Sequence, residues 1–289
     1  MRIENFQYRP DFSAGSSPGD DEVSIKWFGT AAYRIEHRGA VLWIDPFVSR
    51  QSFVNLGFKR LEPKRAEIDK YIDRADYIVI GHTHYDHAGD LPYIVPKTGA
   101  TAFGSESLGA LFTAYGLPKE QFRKVTGGDT VEAGPFKISF AKSAHGKLWG
   151  RVLADYDIRP DAKPPFKMTD FGCGRVWAVT VEVGGYRIYH HGSGAIVEET
   201  LAGTRADMAI IGISSRKSTP RFVYRVVKEL QPKVVMPTHY DMFFRPLHKG
   251  MRLIPGLDFK KVVREVMEAA PEAALVTLPL LGEYRVKLK

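Results

Sequence analysis

Histidine and carboxylate side chains crowd one stretch of this sequence, Gly81-His82-Thr83-His84-Tyr85-Asp86-His87-Ala88-Gly89-Asp90. It follows directly on residues 77–80, a short apolar run that predicts a buried strand. The side chains therefore lie where a strand gives way to a loop, and such loops commonly carry the reactive groups of sheet proteins. Imidazole nitrogens and carboxylates are ligands of Zn²⁺, Mn²⁺ and Fe. The stretch predicts a metal site at a strand end.

The spacing inside this stretch separates the ligands into two sets. His82 and His84 are two residues apart, so they point the same way while the chain is extended. Asp86 and His87 follow a turn and can reach a second point. A single histidine at a strand end is most often a surface residue, but this grouping of metal-type side chains after an apolar strand favours a metal site.

The composition is typical of an ordinary globular protein, with 289 residues of which 44% are hydrophobic and 26% charged. A single cysteine, Cys173, excludes an internal disulfide framework and a multi-cysteine metal site. The apolar runs are shorter than the ~20 residues of a membrane span. Residues 1–21 are polar and lack the apolar segment of a secretory signal. We therefore expect a cytoplasmic protein with no membrane span.

Positive charge is concentrated towards the C-terminus. The net charge is +8, and residues 214–264 hold 12 Lys or Arg against 3 Asp or Glu. This surplus fits an anionic substrate or a phosphate surface, and it fits a solvated helix face equally well. Within it, Ser214-Ser215-Arg216-Lys217-Ser218-Thr219-Pro220 precedes a predicted helix and offers either a phosphate site or a capped helix start. No run of five like charges occurs, so a nucleic-acid partner is not expected.

Hydrophobic patterns predict an α/β fold. Strand-rich segments are followed by strand–helix–strand segments, twice over, which favours two packed sheets with helices outside. The two-residue turn Gly184-Gly185 predicts a hairpin between 177–183 and 186–190. Other predicted strands lie at 23–28, 33–37, 40–44, 136–140, 207–211 and 234–236, and helices at 105–115, 221–230 and 259–269.

Two irregular segments stand out from the one domain that we expect to span residues 1–289. Residues 1–21 predict a mobile N-terminal segment. Residues 146–174 form a longer connection than a structural loop usually is, and long loops in compact domains often bind substrate or form lids. We expect this second segment to be a substrate loop.

Four other strand ends complete a known pattern, in the stretches Leu42-Trp43-Ile44-Asp45-Pro46, Ser143-Ala144-His145-Gly146, Tyr189-His190-His191-Gly192-Ser193-Gly194 and Met236-Pro237-Thr238-His239. With residues 81–90 they resemble, in the right order, the metallo-β-lactamase superfamily. Lys26-Trp27-Phe28-Gly29-Thr30-Ala31 and Asp45-Pro46 are most similar to the branch that contains ascorbate-6-phosphate lactonase and N-acyl-phosphatidylethanolamine phospholipase. The resemblance implies a four-layer αββα sandwich of two mixed β-sheets flanked by helices. It also implies a metal site at the edge where the sheets meet.

The resemblance assigns metal ligands to two sites. The first site takes His82, His84 and His145, and the second takes Asp86, His87 and His239. Asp45 would orient the ligands by hydrogen bonds.

Ser193 stands where the superfamily has a bridging aspartate. Because a neutral hydroxyl is a poorer ligand than a carboxylate, we expect one Zn²⁺ to bind tightly and a second to bind weakly or not at all. His191, close to Ser193, is an alternative bridging ligand, and Mn²⁺ or Fe are alternative metals. Candidate pocket residues near these stretches are Tyr85, Trp149, Tyr240, Phe243 and His248.

A metal at the first site lowers the pKa of a water from about 15.7 to around 7 and so makes a nucleophile at neutral pH. As the resemblance implies, Asp86 is the catalytic residue that accepts its proton or orients it. We expect a metal-dependent hydrolase of a lactone, ester or amide in a small molecule, including an anionic one, and a homo-oligomer is compatible with the sequence. The alternatives are a phosphodiesterase or nuclease, supported by the basic stretch, a non-catalytic binding protein, supported by Ser193, and other metal chemistry such as an oxidation.

Overall fold

The computed structural model describes residues 3–8 and 16–288 of the chain. Within them the strands are β1 (Glu22–Trp27), β2 (Tyr33–His37), β3 (Ala40–Ile44), β4 (Tyr77–Val79), β5 (Thr101–Gly104), β6 (Phe122–Lys124), β7 (Thr130–Ala133), β8 (Phe136–Lys142), β9 (Trp177–Val183), β10 (Tyr186–His191), β11 (Met208–Gly212), β12 (Val234–Thr238), β13 (Ala274–Leu275) and β14 (Glu283–Lys287). The helices are α1 (Phe53–Phe58), α2 (Arg65–Tyr71), α3 (Tyr85–Ala88), α4 (Leu91–Thr98), α5 (Glu106–Tyr115), α6 (Glu198–Leu201), α7 (Phe222–Leu230) and α8 (Phe259–Ala269). Short 3₁₀ helices lie at Ile3–Phe6, Lys119–Gln121, Met168–Asp170, Arg216–Ser218 and Leu247–Lys249.

The strands form two seven-stranded mixed sheets. The first sheet has the order β14-β1-β2-β3-β4-β5-β6 and the second the order β13-β12-β11-β10-β9-β8-β7. In the first sheet, β14, β1, β2 and β3 are antiparallel neighbours, whereas β3 to β6 run parallel. In the second, β7 to β10 are antiparallel and β10 to β13 parallel. The hairpin predicted at Gly184-Gly185 is confirmed as β9 and β10, with Val183 opposite Tyr186.

Alternation along the strands builds the core between the sheets. In β1, the side chains of Val23, Ile25 and Trp27 are buried in this core, since alternate residues of a strand face the same way. Strand β3 is apolar along its length because both of its faces are covered. Leu42 belongs to the core between the sheets, and its neighbour Trp43 to a second core outside the first sheet.

Helices cover the outer face of each sheet. In α7, Val227 and Leu230 are buried against the second sheet at helical spacing, and α8 packs beside α7. Helices α2, α4 and α5 contribute Ile68, Ile94 and Leu111 to the core outside the first sheet. The order helix, sheet, sheet, helix confirms the expected αββα sandwich.

Strand ends from both sheets meet at one edge. Strands β3 and β4 are parallel and end just before Asp45 and Gly81, and β12 ends immediately before His239. Two backbone hydrogen bonds join these ends across the sheets. The amide of Trp177 donates to the Gly81 carbonyl at 2.8 Å, and the amide of His239 donates to the Thr30 carbonyl at 2.9 Å. The fold therefore gathers the loops that carry the predicted ligands.

The two irregular segments are partly packed. Ile3 is buried, and the Tyr8 amide donates to the Thr277 carbonyl at 2.9 Å. Residues 1, 2, 9–15 and 289 lie outside the described residues, so the mobility of 1–21 and a single domain over 1–289 stay predictions. In the segment 146–174, Phe166 and Phe171 are buried in the core outside the first sheet. The segment is thus anchored at its C-terminal half.

None of the helices in residues 3–8 and 16–288 combines the length and the apolar character needed to cross a membrane.

The packing of α7 gives a stability prediction. Leu230 is 0% exposed in the core, whereas Leu148 is 43% exposed. We expect Leu230→Ala to lower the free energy of unfolding by about 2–5 kcal/mol, because it leaves a cavity in a close-packed core. Leu148→Ala removes the same atoms from the surface and should change stability by less than about 0.5 kcal/mol. Urea denaturation measures both, and equal losses would contradict the position of α7 in the core.

Candidate metal centre

The first predicted ligand set is assembled in space. His82 and His84 come from the loop after β4, and His145 from the loop after β8. One ring nitrogen from each lies within 4.8 Å of the others. The ring of His82 is 4.9 Å from that of His145 and 4.8 Å from that of His84, measured between centroids. These three side chains, here called the first group, can converge on one cation.

Backbone carbonyls set the tautomer of two rings in the first group. His84 Nε2 donates to the Leu153 carbonyl at 2.8 Å, and His145 Nδ1 donates to the Gly146 carbonyl at 2.7 Å. Each ring therefore keeps its other nitrogen free of a proton, which is the form that binds a metal. Leu153 and Gly146 lie in the predicted substrate loop, so this loop supports the ligands directly.

The second predicted set lies beside the first. Asp86 and His87 belong to the single-turn helix α3, and His239 follows β12. Their ligand atoms also lie within 4.8 Å of one another, and His239 Nε2 is 3.1 Å from Asp86 Oδ2. The His87 ring stands 3.8 Å from the ring of His82 in the first group. Asp86, His87 and His239 are called the second group.

Asp45 fixes the orientation of His87. Its Oδ2 accepts a hydrogen bond from His87 Nδ1 at 2.7 Å, and its Oδ1 accepts one from the Gly81 amide at 2.7 Å. Asp45 is fully buried. A buried carboxylate holds the imidazole in one tautomer and leaves Nε2 of His87 facing the second group.

The two groups differ in their electrostatics. Burial lowers the pKa of His82 and of His145, the latter to about 3, and the neighbouring imidazoles lower both further. Burial also opposes the protonation of His87, but Asp45 and Asp86 raise its pKa above the ordinary value. The first group therefore offers neutral imidazoles as metal ligands. The second group lies where the negative charges of Asp45 and Asp86 favour a cation.

The donor set fits a metal ion. Among the described residues, Nε2 of His82 is buried without a hydrogen-bond partner. Leaving such a nitrogen unpaired is costly, and coordination of a cation would satisfy it. Neutral imidazoles with one carboxylate are ligands that suit zinc, iron or manganese.

Ser193 and His191 do not join either group. Ser193 Oγ accepts a hydrogen bond from the Gly146 amide at 3.2 Å, which supports the turn after His145. His191 is fully buried, with Nε2 3.0 Å from Ser143 Oγ and its ring packed on Phe222. Both side chains are hydrogen-bonded beside the first group, and a bridging role for either stays a prediction.

The predicted pocket residues are scattered. Phe243 packs against His239 at 5.4 Å between ring centroids, and Trp149 is 85% exposed on the substrate loop. Tyr240 is in the core, where its hydroxyl donates to the Leu278 carbonyl. Tyr85 is also buried and packs on aromatic rings of the core, and His248 is on the surface near Glu67. Phe243 thus lies beside the second group, whereas Tyr240 and Tyr85 are in the core, and the pocket roles stay predictions.

The serine-rich stretch 214–220 supports the loop of the first group. Ser218 Oγ accepts a hydrogen bond from the Lys147 amide at 2.7 Å. Helix α7 begins without a side-chain cap, because Arg221 precedes it in a left-handed conformation with φ 51°. Arg216 is buried and donates to the Asp258 carbonyl at 2.6 Å. The capped helix start is therefore wrong, and the phosphate site stays a prediction.

Comparisons with known proteins agree with this geometry. The sequence matches the family model described as "Beta-lactamase superfamily domain" over residues 24–239. A protein of Anaeromyxobacter sp. (strain K), named a UPF0173 metal-dependent hydrolase, is 26% identical over 271 residues, which is 90% of each chain. A protein of the same kind from Methanopyrus kandleri is 27% identical over 84% of this chain and 93% of its own.

A solved structure shares the fold. Igni18, described as a novel metallo hydrolase from the hyperthermophilic archaeon Ignicoccus hospitalis, superposes with a TM-score of 0.63 and 20% sequence identity. The superposition covers 93% of this chain and 100% of that one.

The role of Asp45 gives a prediction for metal affinity. Asp45→Asn keeps the shape of the side chain but loses the charge that orients His87, so we expect metal affinity to fall by about 10–100-fold. Asp76→Asn is the matched control, because Asp76 also accepts a backbone hydrogen bond, from the Val41 amide, but contacts no ligand of either group. Competition with a chromophoric chelator measures both affinities. Unchanged affinity in Asp45→Asn would contradict the role of Asp45.

The buried histidines give a prediction for the metal-free protein. Burial lowers the pKa of His145 to about 3, of His190 to about 4 and of His191 to about 3. Each takes up a proton near pH 6.5 only after unfolding, so stability is complete above pH 6.5 and is lost as the pH falls. The raised pKa of His87 has the opposite effect, since its protonation favours the folded state. Because it is one group against several, the loss of stability at low pH remains. We expect each lowered histidine to contribute up to about 1.4 kcal/mol per pH unit between pH 6 and 4.5.

Urea denaturation in the presence of a chelator tests this slope. His190→Gln can keep a hydrogen bond to the Ala31 carbonyl, which His190 Nε2 makes at 3.1 Å, and should reduce the slope by one proton. Stability that does not change between pH 6 and 4.5 would show that these rings are not held neutral in the folded state.

Proposed function

The chain belongs to the beta-lactamase superfamily and is a metal-dependent hydrolase, and we propose that it cleaves a lactone, ester or amide bond in a small molecule. The observation that carries this proposal is the pair of adjoining ligand groups. In each group the ligand atoms lie within 4.8 Å of one another, and carbonyls hold the opposite nitrogens of His84 and His145 as Asp45 holds that of His87. Such preorganisation is what a metal-activated water requires.

When bound, a divalent cation supplies a nucleophile at neutral pH and polarises the bond under attack. Asp86 serves this chemistry as an ionised carboxylate. Burial alone would raise the pKa of Asp86, but His87 and His239 overcome it and hold the pKa below its ordinary value. A carboxylate with so low a pKa holds a proton poorly, so Asp86 orients the attacking water by accepting its hydrogen bond.

We propose Zn²⁺ as the metal, with Mn²⁺ or Fe as alternatives, and tight binding at the first group only. The second group has one carboxylate ligand, Asp86, and Ser193 supplies no bridging charge because its hydroxyl is neutral; its oxygen accepts a hydrogen bond from the Gly146 amide. Two dications close together repel strongly. Without the bridging aspartate of the superfamily, one negative charge fewer is present to offset this repulsion.

An aromatic row supports a substrate with an apolar part. It starts at the ligand His239 and continues through Phe243 and Phe244 to Phe53 on α1, with ring centroids 5.4, 4.3 and 5.5 Å apart. Phe53 is 74% exposed. The row leads from the metal groups to solvent, and we propose that it receives the acyl or ring portion of the substrate. The exposed Trp149 of the loop 146–174 would line the other side.

A phosphodiester substrate stays the alternative, and three of the 12 cations of the basic stretch are held in ion pairs. Arg221 contacts Glu268 at 2.7 Å, Lys233 contacts Asp207 at 3.1 Å, and Arg225 contacts Glu198. Such paired side chains offer little free charge to a phosphate. Similarity to the lactonase and phospholipase branch and a cytoplasmic location stay parts of the proposal.

Metal removal and a substrate screen test the function. We expect the chelator-treated protein to lose turnover of lactones and aryl esters and to regain it with Zn²⁺. Loss of a hydrogen-bond partner of a metal ligand lowers metal affinity or activity by up to about 100-fold. His145→Ala removes a ligand itself, so we expect a larger loss of both metal binding and rate. The control His248→Ala changes a surface histidine and should keep both.

Other outcomes would revise the proposal. Turnover of bis-phosphodiesters alone would establish the phosphodiesterase alternative. Full metal content with no turnover of any of these substrates would favour the binding protein. Retention of metal and rate in His145→Ala would show that the first group is not the site.

A further inference from the structure

A buried ion pair lies beside the metal groups without belonging to either. Arg50 Nη2 is 2.5 Å from Asp241 Oδ2, and the two side chains are 1% and 0% exposed. Removing two charges from water is costly, and apolar residues of similar size often serve stability equally well. A contribution to stability is therefore a weak reason for such a pair, and its contacts point to another role.

The contacts of Asp241 lead to His239. Asp241 Oδ1 accepts a hydrogen bond from the Thr30 amide at 2.7 Å. The carbonyl of the same residue, Thr30, accepts hydrogen bonds from the His239 amide at 2.9 Å and from Thr238 Oγ1 at 2.7 Å. Thr30 is thus held at both of its backbone groups, and it in turn holds the backbone of the ligand His239.

The backbone at these positions is strained. Thr30, Arg50 and His239 have φ values of 51°, 30° and 56°, in the region that non-glycine residues rarely adopt. Such conformations persist where the surrounding contacts over-determine them. The left-handed conformation of His239 turns the chain sharply at the end of β12, so the direction of its ring depends on the contacts that keep it there.

Arg50 connects three loops at this point. Its Nη2 also donates to the Phe28 carbonyl at 3.2 Å, and its Nη1 donates to the Arg245 carbonyl at 3.3 Å. Space for the guanidinium depends on Gly29, where a Cβ atom would lie 1.7 Å from Arg50 Nη2. The fork shape of arginine is needed for these simultaneous contacts, which a lysine cannot reproduce.

We propose that Arg50 and Asp241 are positioning residues that set His239, through Thr30, in the place where the second group can bind a cation. The inference rests on the ligand role proposed for His239. The first group is held by other contacts, from Leu153 and Gly146, so its affinity for metal does not depend on the ion pair.

Three variants of the whole chain separate positioning from stability. Arg50→Met/Asp241→Leu removes both charges as a unit, which avoids an unpaired buried charge and leaves the Thr30 amide without its acceptor. Arg50→Lys keeps the charge and loses the fork. Arg285→Met is the control, since it removes another mostly buried arginine, which contacts Glu283 at 2.7 Å in β14.

Three quantities are compared: the unfolding midpoint, the dissociation constants of the two groups and the ring signals of His239. Urea denaturation gives the midpoint. Chelator competition with Zn²⁺ gives the dissociation constants of the two groups, and NMR of the metal-free protein follows the ring signals of His239, identified by their loss in His239→Ala. For the double variant we expect a lower unfolding midpoint, because the buried Thr30 amide loses its acceptor, and an unchanged first dissociation constant. We also expect the second constant to rise at least tenfold and the His239 signals to shift. Arg50→Lys should give a second dissociation constant between those of the unchanged protein and the double variant. Arg285→Met should leave the dissociation constants and the His239 signals unchanged.

A folded double variant with unmoved His239 signals and an unchanged second constant would overturn the proposal. If the double variant does not fold, unmoved signals in Arg50→Lys would overturn it in the same way. His239→Ala separates the two proposals. If it keeps both metals and full rate, the ligand role of His239 is wrong, while the His239 signals of the double variant still decide whether the ion pair positions that residue.

Discussion

The candidate metal centre depends on the carboxylate of Asp45. One of its oxygens binds the Gly81 amide and fixes where the histidine stretch leaves β4, and the other binds His87 and fixes which nitrogen faces the second group. Asp45 itself has a φ of 48° and no exposure to solvent, so the strand ends around it hold it in an unfavourable conformation. Without this anion the buried ring of His87 would be free to adopt either tautomer. The carbonyls of the loop 146–174 then orient His84 and His145, and Thr30 holds the backbone of His239.

Much of the fold could be predicted from the sequence because its periodicities are strong. Apolar runs and turn glycines predicted the hairpin of β9 and β10 and the strand β3, and these are confirmed. Helix α4 was missed because Pro92 and Pro96 interrupt its pattern. Pro92 lies in the first turn, where no amide donor is needed, and burial of Ile94 and Val95 stabilises a helix that local propensity disfavours. The sequence also indicated which six side chains would meet, although their role as ligands stays a prediction.

Two kinds of contact could not be predicted from the sequence. In one, a backbone group is the partner, and in the other, the two residues are far apart along the chain. Carbonyls set the tautomers of His84 and His145, and any residue at 153 or 146 has a carbonyl. The partners Arg50 and Asp241 are 191 residues apart, and nothing near either one in the sequence indicates the other. Ser193 stands in place of a bridging aspartate, and the serines of 214–220 offered a phosphate site. In the structure the hydroxyls of Ser193 and Ser218 accept hydrogen bonds from backbone amides of the turn after His145. Small hydroxyl side chains serve both purposes, and only the tertiary structure distinguishes them.

The hydrogen bond from His84 to the Leu153 carbonyl has a consequence for how specificity can diverge in this fold. The side chain at 153 is free to vary, since only its backbone oxygen is used. The path of the main chain there is not free, because a displaced oxygen would release the imidazole. Substitutions at exposed positions of the proposed substrate loop, such as Trp149, can therefore leave the support of His84 in place, while insertions, deletions or grafted loops alter it. Lineages that keep the loop length should diversify by side-chain exchange, and those that change it must rebuild the support of His84.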